Sequence, residues 1–187
     1  MINLGVGDTY TNPDKKIVRV YAGNACFVGI NTYLSDNDIF EEAVRIGNNA
    51  RIGRYVKIKK ARIGHCVNIE FETIIGNNVC IGNNVNIGHN VIIGNNVQIG
   101  NNVIIQNDVK ICDGAWINDK AVVKSNANIG HNAWIDSDAN IGISVMVGDY
   151  CEIGHGAILM DYSRTCDFVK IDPSATVSFR DIVYKRT

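Results

Sequence analysis

The chain has 187 residues, enough for one domain with a sizeable core, and its 18 basic and 19 acidic residues leave a formal net charge of −1. This balance provides no broad attraction for nucleic acid or anionic lipid, so neither nucleic acid nor a membrane is expected as a partner. No stretch is apolar enough to span a bilayer and the polar N-terminal residues do not resemble a secretory signal, so we expect a cytoplasmic protein.

The chain divides into three predicted parts. Residues 1–45 lack a repeat and are predicted to form an N-terminal cap, with a short helix over residues 37–44. Residues 46–162 contain a six-residue repeat and are predicted to form the body of the protein. The repeat is lost afterwards, so residues 163–187 are predicted to form a C-terminal cap.

The repeat is unusually regular. Hexads begin at Ile46 and Ile52, a five-residue repeat at Ile58 shifts the register by one, and sixteen uninterrupted hexads follow from Ile63. The first position of these sixteen is Ile or Val, and the fifth is small or β-branched. Gly is the commonest residue at the second position, and Asn recurs at the fourth. Such a pattern indicates one structural unit repeated many times.

The six-residue period predicts the fold. It matches neither the 3.6-residue period of a helix nor the two-residue period of a simple strand, but it suits short strands separated by a corner at every sixth residue. Gly and Asn tolerate the positive φ angle that a corner requires. Three corners close a coil, so we expect an all-β solenoid of about six triangular coils in which residues eighteen apart lie directly above one another.

The hexads from Ile75 to Gly100, IGNNVCIGNNVNIGHNVIIGNNVQIG, resemble the transferase hexapeptide-repeat superfamily. This resemblance implies a left-handed parallel β-helix that assembles as a homotrimer. It also implies acyl transfer to a small-molecule acceptor, a sugar or a small amine. Acetyl-CoA or another acyl-CoA would be the cosubstrate, and no metal ion is expected.

Two tryptophans, Trp116 and Trp134, are eighteen residues apart and are predicted to stack on the outside of the solenoid. The neighbouring outer columns contain Ile and Met residues, and a soluble monomer rarely exposes so much apolar surface. We interpret these columns as a subunit interface. A cofactor-binding cleft lined by Trp116 and Trp134 is the second interpretation, and the two coincide where a ligand binds between subunits.

One candidate general base is His131, whose predicted column places Asp113 one coil before it and Asp149 one coil after it. Neighbouring carboxylates favour the imidazolium and can fix the tautomer of the ring, as a catalytic base requires. The alternative is that His131 is only a surface substitution for the Asn of the repeat.

A second candidate base is His89, which has no carboxylate in its column. Its context, IGHNVIIG, resembles the segment that carries the catalytic histidine in hexapeptide N-acyltransferases of lipid A synthesis. The resemblance implies that His89 deprotonates the acceptor nitrogen. A plain substitution for Asn is again the alternative.

Residues 148–163, GDYCEIGHGAILMDYS, resemble the segment of gamma-class carbonic anhydrases in which two zinc-binding histidines lie five apart. Here His155 occupies the first of these positions and Met160 the second. Because no upstream histidine is spaced to complete a ligand set, no metal site is predicted. The third interpretation of the sequence is that the protein is a degenerate relative of these enzymes that binds no zinc.

Two functions from different classes remain open. The first is an acyl-CoA-dependent acyltransferase whose site lies at a subunit interface, with backbone N–H groups stabilising the oxyanion. The second is a non-catalytic trimeric β-helix that serves as a structural, decoration or docking module, for example in a viral particle or another large assembly. The absence of an inserted loop between the sixteen hexads favours the second function.

Overall fold

The computed structural model of the protein describes residues 2–4, 9–14, 17–22, 26–41 and 43–184. Within these ranges all regular structure is β-strand. The strands in chain order are β1 (Ile2–Leu4), β2 (Thr9–Thr11), β3 (Ile17–Ala22), β4 (Cys26–Val28), β5 (Asp38–Phe40), β6 (Arg45–Ile46), β7 (Arg51–Ile52), β8 (Lys57–Ile63), β9 (Asn68–Ile69), β10 (Ile74–Ile81), β11 (Asn86–Ile87), β12 (Ile92–Ile93), β13 (Gln98–Ile99), β14 (Ile104–Ile105), β15 (Lys110–Ile111), β16 (Trp116–Ile117), β17 (Val122–Val123), β18 (Asn128–Ile129), β19 (Trp134–Ile135), β20 (Asn140–Ile141), β21 (Met146–Val147), β22 (Glu152–Ile153), β23 (Ile158–Leu159), β24 (Arg164–Thr165), β25 (Lys170–Ile171), β26 (Thr176–Val177) and β27 (Ile182–Val183).

The strands stack in parallel on three faces around one interior, as the six-residue period predicts. The first face runs through β4, β6, β8, β10, β13, β16, β19, β22 and β25. The second runs through β7, β9, β11, β14, β17, β20, β23 and β26. The third runs through β3, β5, the first halves of β8 and β10, and then β12, β15, β18, β21, β24 and β27. The long strands β8 and β10 therefore contribute to two faces each.

The solenoid is longer than the predicted six coils. Nine strands stack on the first face, so the chain makes about nine turns. The helix predicted over residues 37–44 is wrong, because Asp38–Phe40 is a strand in the upper turns. Both ends that the sequence assigned to caps contribute extra turns. The Ile-Gly signature is lost there, but buried residues such as Val169, Ile171 and Val177 keep the six-residue phase.

The interior is filled by the first and fifth positions of each hexad. In a central turn Ala115 and Ile117 are both buried, and the same pairing of a large and a small side chain repeats along the axis. Stacking one turn on the next therefore forms one continuous core, in which the burial of each turn depends on its neighbours. This arrangement is the fold that the hexads predict.

Each corner uses two polar positions for different purposes. The fourth position takes the left-handed conformation, with φ of 57° at both Asn84 and Asn102. The third position links successive turns, because its backbone N–H donates to the side-chain oxygen of the residue one turn later. Asn83, for example, donates to Asn101 Oδ1 at 2.9 Å. The Asn-rich corners thus provide hydrogen bonds between turns as well as the required φ angle.

Two antiparallel pairings and several side chains close the N-terminal end. Strand β1 pairs with β4 and strand β2 pairs with β3, both antiparallel. The buried amide of Asn12 bonds to both backbone groups of Leu34 at 2.9 Å, and the Tyr10 hydroxyl donates to the carbonyl of Thr32 at 2.9 Å. These contacts satisfy backbone groups that an open edge would leave exposed.

No helix among the described residues is long and apolar enough to cross a membrane.

A buried carboxyl group joins two of the upper turns. Asp38 is fully buried, and its two oxygens accept the backbone N–H of Ser35 at 3.0 Å and that of Val56 at 3.1 Å. Burial raises the pKa of Asp38 to about 8, although these two hydrogen bonds oppose the shift. The carboxyl group is therefore protonated in the folded protein at neutral pH.

This shift predicts that stability falls as the pH rises. An unfolded Asp ionises near pH 4, so the stabilising contribution of Asp38 is complete below that pH and is lost as the pH approaches 8. The free energy of unfolding should fall by up to about 1.4 kcal/mol per pH unit in this window. Urea unfolding of the native chain and of Asp38→Asn at pH 5, 7 and 9 measures the difference, because the variant cannot ionise. Parallel pH profiles for the two proteins would contradict the prediction.

Candidate functional site

The structure brings His131, Asp113 and Asp149 into one column at the corner between the third and first faces. The backbone N–H of Asn132 donates to the carbonyl of Asp113 at 3.0 Å, and that of Tyr150 donates to the carbonyl of His131 at 2.8 Å. The three predicted residues therefore occupy successive turns, about 4.8 Å apart. Both His131 and Asp113 are exposed, and Asp149 is half-buried.

The two carboxylates do not contact the imidazole ring in the way the sequence suggests. Asp149 Oδ1 accepts the backbone N–H of His131 at 2.7 Å, and Asp113 accepts the backbone and side-chain N–H groups of Asn95 at 2.8 and 3.2 Å. These bonds from Asn95, together with the nearby charge of His131, hold the pKa of Asp113 below its usual value. Within the described ranges, no ion pair joins the ring to either carboxylate.

The four histidines differ in what their rings contact. His65 Nδ1 accepts the backbone N–H of Asn48 at 2.9 Å, so this ring replaces the Asn of the repeat. The His89 ring stacks on Phe71, and His155 Nδ1 lies 3.8 Å from Asp138 Oδ2. The His131 ring has no hydrogen bond to any residue that the structure describes. The His89 ring likewise makes no hydrogen bond to a described residue, but His89 is half-buried and stacked on Phe71, whereas His131 is exposed and is the more available of the two to an external group.

Trp116 and Trp134 stack on the first face, as the eighteen-residue spacing predicts. Their ring centroids are 5.0 Å apart with an interplanar angle of 14°, and the two residues are 45% and 41% exposed. They present a broad aromatic surface beside the His131 corner. Such a surface can stack against a planar ligand or pack against another subunit.

A cavity of about 660 Å³ adjoins this aromatic surface and is lined by Trp134, Asn132, Tyr150 and Phe168 among others. Tyr150 and Phe168 stack with centroids 5.0 Å apart and an interplanar angle of 2°. The sequence interpretation missed these two residues. The available signal was their spacing of eighteen residues at the fourth position of the hexad.

An ion pair lies at the edge of the same cavity. Lys170 Nζ donates to Glu152 Oε2 at 2.7 Å, and this hydrogen bond raises the pKa of Lys170. Both side chains are exposed, so the pair contributes little to stability. It provides the cavity with one group of each charge within reach of a polar ligand.

The second candidate base, His89, lies at a different corner, between the second and third faces. Its ring is parallel to that of Phe71, with centroids 4.8 Å apart and an interplanar angle of 7°. The cavity on that side, of about 750 Å³, is lined by Phe71, Glu70 and Arg51 among others. The structure therefore does not bring His89 and His131 into one site.

In the turns that carry the two histidines, the backbone donors beside them are already occupied. At the His131 corner the N–H groups of Gly130 and Ala133 donate to carbonyls, and those of His131 and Asn132 are bonded as described above. At the other corner, Gly88, His89 and Asn90 likewise donate within the chain. An oxyanion would instead require a side-chain donor.

Asn132 provides such a donor beside His131. Its Oδ1 lies over Gly114, where an added Cβ would be only 2.2 Å from that oxygen. Because Gly114 has no Cβ, it leaves room for the side-chain amide of Asn132. The side chain of Asn132 is exposed, so its N–H groups can reach a ligand.

The ligand set implied by the carbonic anhydrase resemblance is not assembled. In the described part of the chain, no three His, Cys, Asp or Glu side chains are grouped so that they could hold a metal ion. His155 is exposed and has only the distant Asp138 contact, and Met160 takes the place of a second ligand. Thioether sulfur is not among the usual ligands of zinc, so these residues do not fit that metal.

Comparison with known proteins is consistent with the repeat and the winding. Residues 72–107 match the protein family described as "Bacterial transferase hexapeptide (six repeats)". No curated protein sequence matches the chain. The chain is 19% identical to LpxA from Acinetobacter baumannii, with a TM-score of 0.68, covering 83% of this chain and 66% of that one. It is also 19% identical to UDP-N-acetylglucosamine O-acyltransferase (LpxA) from Moraxella catarrhalis RH4, with a TM-score of 0.61, covering 81% and 60%.

These matches confirm the predicted resemblance to hexapeptide-repeat proteins, and the strand pairings show the parallel β-solenoid that the six-residue period predicts. At 19% identity the likeness to the solved structures concerns the fold. The chain spans 60% to 66% of the length of these two acyltransferases.

Proposed function

We propose that the protein is an acyltransferase that moves an acyl group from acyl-CoA to a hydroxyl or amino group of a sugar or small amine, with His131 as the general base. The observation that carries this proposal is the ring of His131, which is exposed and has no hydrogen bond among the described residues, unlike that of His65. The adjoining cavity and the resemblance to acyltransferase structures support it.

The proposed reaction needs one proton carrier. The His131 ring removes the proton from the acceptor hydroxyl or amine as that atom attacks the thioester carbonyl. The tetrahedral intermediate collapses, the carbon–sulfur bond breaks, and the imidazolium returns the proton to the departing thiolate. Asp113 and Asp149, one turn away on either side, favour the transient imidazolium through their charge. The Asn132 amide donates to the developing oxyanion.

The proposal places this site at an interface of a homotrimer, with Trp116 and Trp134 contacting the cofactor. Apolar side chains that are more than a third exposed lie on the other two faces, including Ile74, Ile92 and Ile104. Such columns are unusual on the surface of a soluble monomer. A neighbouring subunit would cover them and narrow the shallow cavity beside Trp134.

A non-catalytic trimeric module is the second candidate function, and two observations favour it. Between Ile63 and Tyr184, the described turns have no inserted loop that could close over an acceptor. In addition, the backbone N–H groups that flank each histidine in its own turn are bonded within the chain. This alternative predicts a stable assembly with no response to acyl donors.

A ligand titration distinguishes the two functions. If the protein is the enzyme, its melting temperature should rise with the concentration of acetyl-CoA or a longer acyl-CoA. At a free ligand concentration of one hundred times Kd, the free energy of unfolding should increase by about 2.7 kcal/mol. Thiol release should then depend on an added amino sugar or nucleotide sugar. A stable trimer that shows neither response to any donor would overturn the enzyme and support the structural module.

A further inference from the structure

The five-residue repeat at Ile58 leaves a notch in the wall of the solenoid. Between β8 and β10, Lys60 pairs with Asn77 and Ala61 pairs with Val79, so Asn78 has no partner. The corner residue of the turn above is Ala43, and that of the turn below is Asn78, both with positive φ. The turn between them has no residue at this position.

The missing residue leaves a cavity of about 340 Å³ that Ala43 and Asn78 both line. These two corner residues belong to turns that are two levels apart, which corresponds to about 10 Å along the axis. The cavity is therefore large enough for a small tetrahedral anion or two linked ones. It follows from the shortened repeat and is distinct from the cavity beside Trp134.

Three cationic side chains line this notch: Arg45, Lys60 and Arg62. Arg45 and Arg62 are direct partners on neighbouring strands, and like charges in that arrangement repel. The Arg45 guanidinium lies over the Phe27 ring, 5.4 Å from its centroid, which fixes one side of the cluster.

Carboxylates on the described part of the chain do not neutralise the cluster. Glu41 is engaged by Lys57 at 2.9 Å, and no ion pair is formed by Lys60 or Arg62 with a described residue. Residues 43–69 contain seven Lys and Arg and no Asp or Glu. The net charge of −1 therefore conceals a basic band of about one and a half turns, bounded in the sequence by Glu41 and Glu42 on one side and by Glu70 and Glu72 on the other.

We propose that the notch binds a phosphate-sized anion, the phosphoryl or diphosphoryl group of a small molecule. Guanidinium and ammonium groups are the side chains that recognise such groups most strongly. A bound anion would relieve the repulsion between Arg45 and Arg62 and accept hydrogen bonds from Lys60. The site lies at the same corner as His131 but about four turns away, and the inference does not depend on the proposed transfer reaction.

An insertion tests the shape of the notch without changing its charge. Adding an Asn between Lys60 and Ala61 converts IKKAR to the complete hexad IKKNAR and fills the empty corner position. Isothermal titration calorimetry with inorganic pyrophosphate at low salt should show saturable binding to the native chain and at least a tenfold weaker affinity for the insertion variant. Because the hexad is restored, the melting temperature should not fall.

Charge substitutions provide the second arm of the test. Lys60→Gln and Arg62→Gln should each weaken pyrophosphate binding about tenfold or more, since each removes a charge-assisted hydrogen bond. Lys110→Gln, at an exposed position on the third face, should change the affinity less than twofold. Undiminished binding by the folded insertion variant, or equal weakening by Lys110→Gln, would overturn the proposal. If the insertion variant does not fold, the three substitutions decide the question.

Discussion

His131→Asn should lower kcat/KM for acyl transfer by about 10²- to 10⁴-fold, the usual contribution of a general base. Asn is the residue that the repeat carries at the equivalent corner position, for example at Asn95, so the substitution should not disturb the turn. Its oxygen can also make the link to the preceding turn that other corners use. Steady-state kinetics with a saturating acyl donor, together with the melting temperature, measure both effects.

The matched control is His89→Asn, which makes the same change at the same position of another hexad. It should remove the stacking on Phe71 and leave the transfer rate nearly unchanged. If this variant lost activity while His131→Asn kept full activity, the general base would be His89 and not His131. Unchanged activity in both would exclude a histidine base at either corner.

Asp149→Asn separates the charge of the column from its structure. An Asn oxygen can still accept the backbone N–H of His131, so the hydrogen bond at 2.7 Å is retained while the negative charge is lost. A rate reduced about tenfold would indicate that the charge stabilises the imidazolium. An unchanged rate would indicate that Asp149 only accepts the hydrogen bond at the corner and that its charge has no role in acyl transfer.

Ile105→Ala should destabilise the protein by about 2 to 5 kcal/mol, because it removes a buried side chain from an interior that cannot collapse around the cavity. The neighbouring Ile104 belongs to the same two-residue strand and points outward. The exposed fractions are 1% for Ile105 and 42% for Ile104. Urea unfolding of the two alanine variants therefore compares the same change on opposite sides of one strand.

Ile104→Ala should change the free energy of unfolding of a single chain by about 0.5 kcal/mol or less. If its column lies in a trimer interface, however, the variant should dissociate at a higher protein concentration than the native chain. Sedimentation at several concentrations measures this shift. A small effect of Ile105→Ala on the free energy of unfolding would contradict the continuous core. An unaltered assembly for Ile104→Ala would show that the Ile104 column does not lie in a subunit interface.

Most of the fold was accessible from the sequence because one physical requirement repeats. A large residue such as Ile117 and a small one such as Ala115 must alternate to fill a triangular interior, and this alternation recurs in the sequence turn after turn. The C-terminal turns were missed because they keep the interior pattern but lose the Asn of the corners, where Phe168, Ser174 and Arg180 take the left-handed conformation, whereas the N-terminal corners still use Asn31 and Asn37. Val169 and Ile171 show that burial, rather than the corner residues, is the more general signal.

The candidate site was accessible only in part. The spacing correctly placed His131, Asp113 and Asp149 in one column and stacked Trp116 on Trp134. It could not show that both carboxylates would bond to backbone N–H groups, because that depends on the tilt of each corner side chain. Nor could the spacing show that the ring of His65 would replace an Asn oxygen as an acceptor while that of His131 makes no such bond.

The corner hydrogen bonds have a direction. Where a backbone N–H at a corner donates to a side chain of another turn, the accepting side chain belongs in most cases to the later turn, as when Asp149 accepts from His131 or Asp167 accepts from Asp149. Removing a turn at the N-terminal side leaves these side-chain oxygens to water, and it also takes the carbonyl acceptor from fourth-position N–H groups such as that of Tyr150, which donates to His131. Peeling one away at the C-terminal side strips the acceptor from an amide in the turn that remains. Loss of a terminal turn therefore frees different amides at the two ends. A third-position amide such as that of His131 loses its acceptor when the later turn is lost, and a fourth-position amide such as that of Tyr150 loses its acceptor when the earlier turn is lost, so hydrogen exchange at these positions can distinguish the two directions of unwinding.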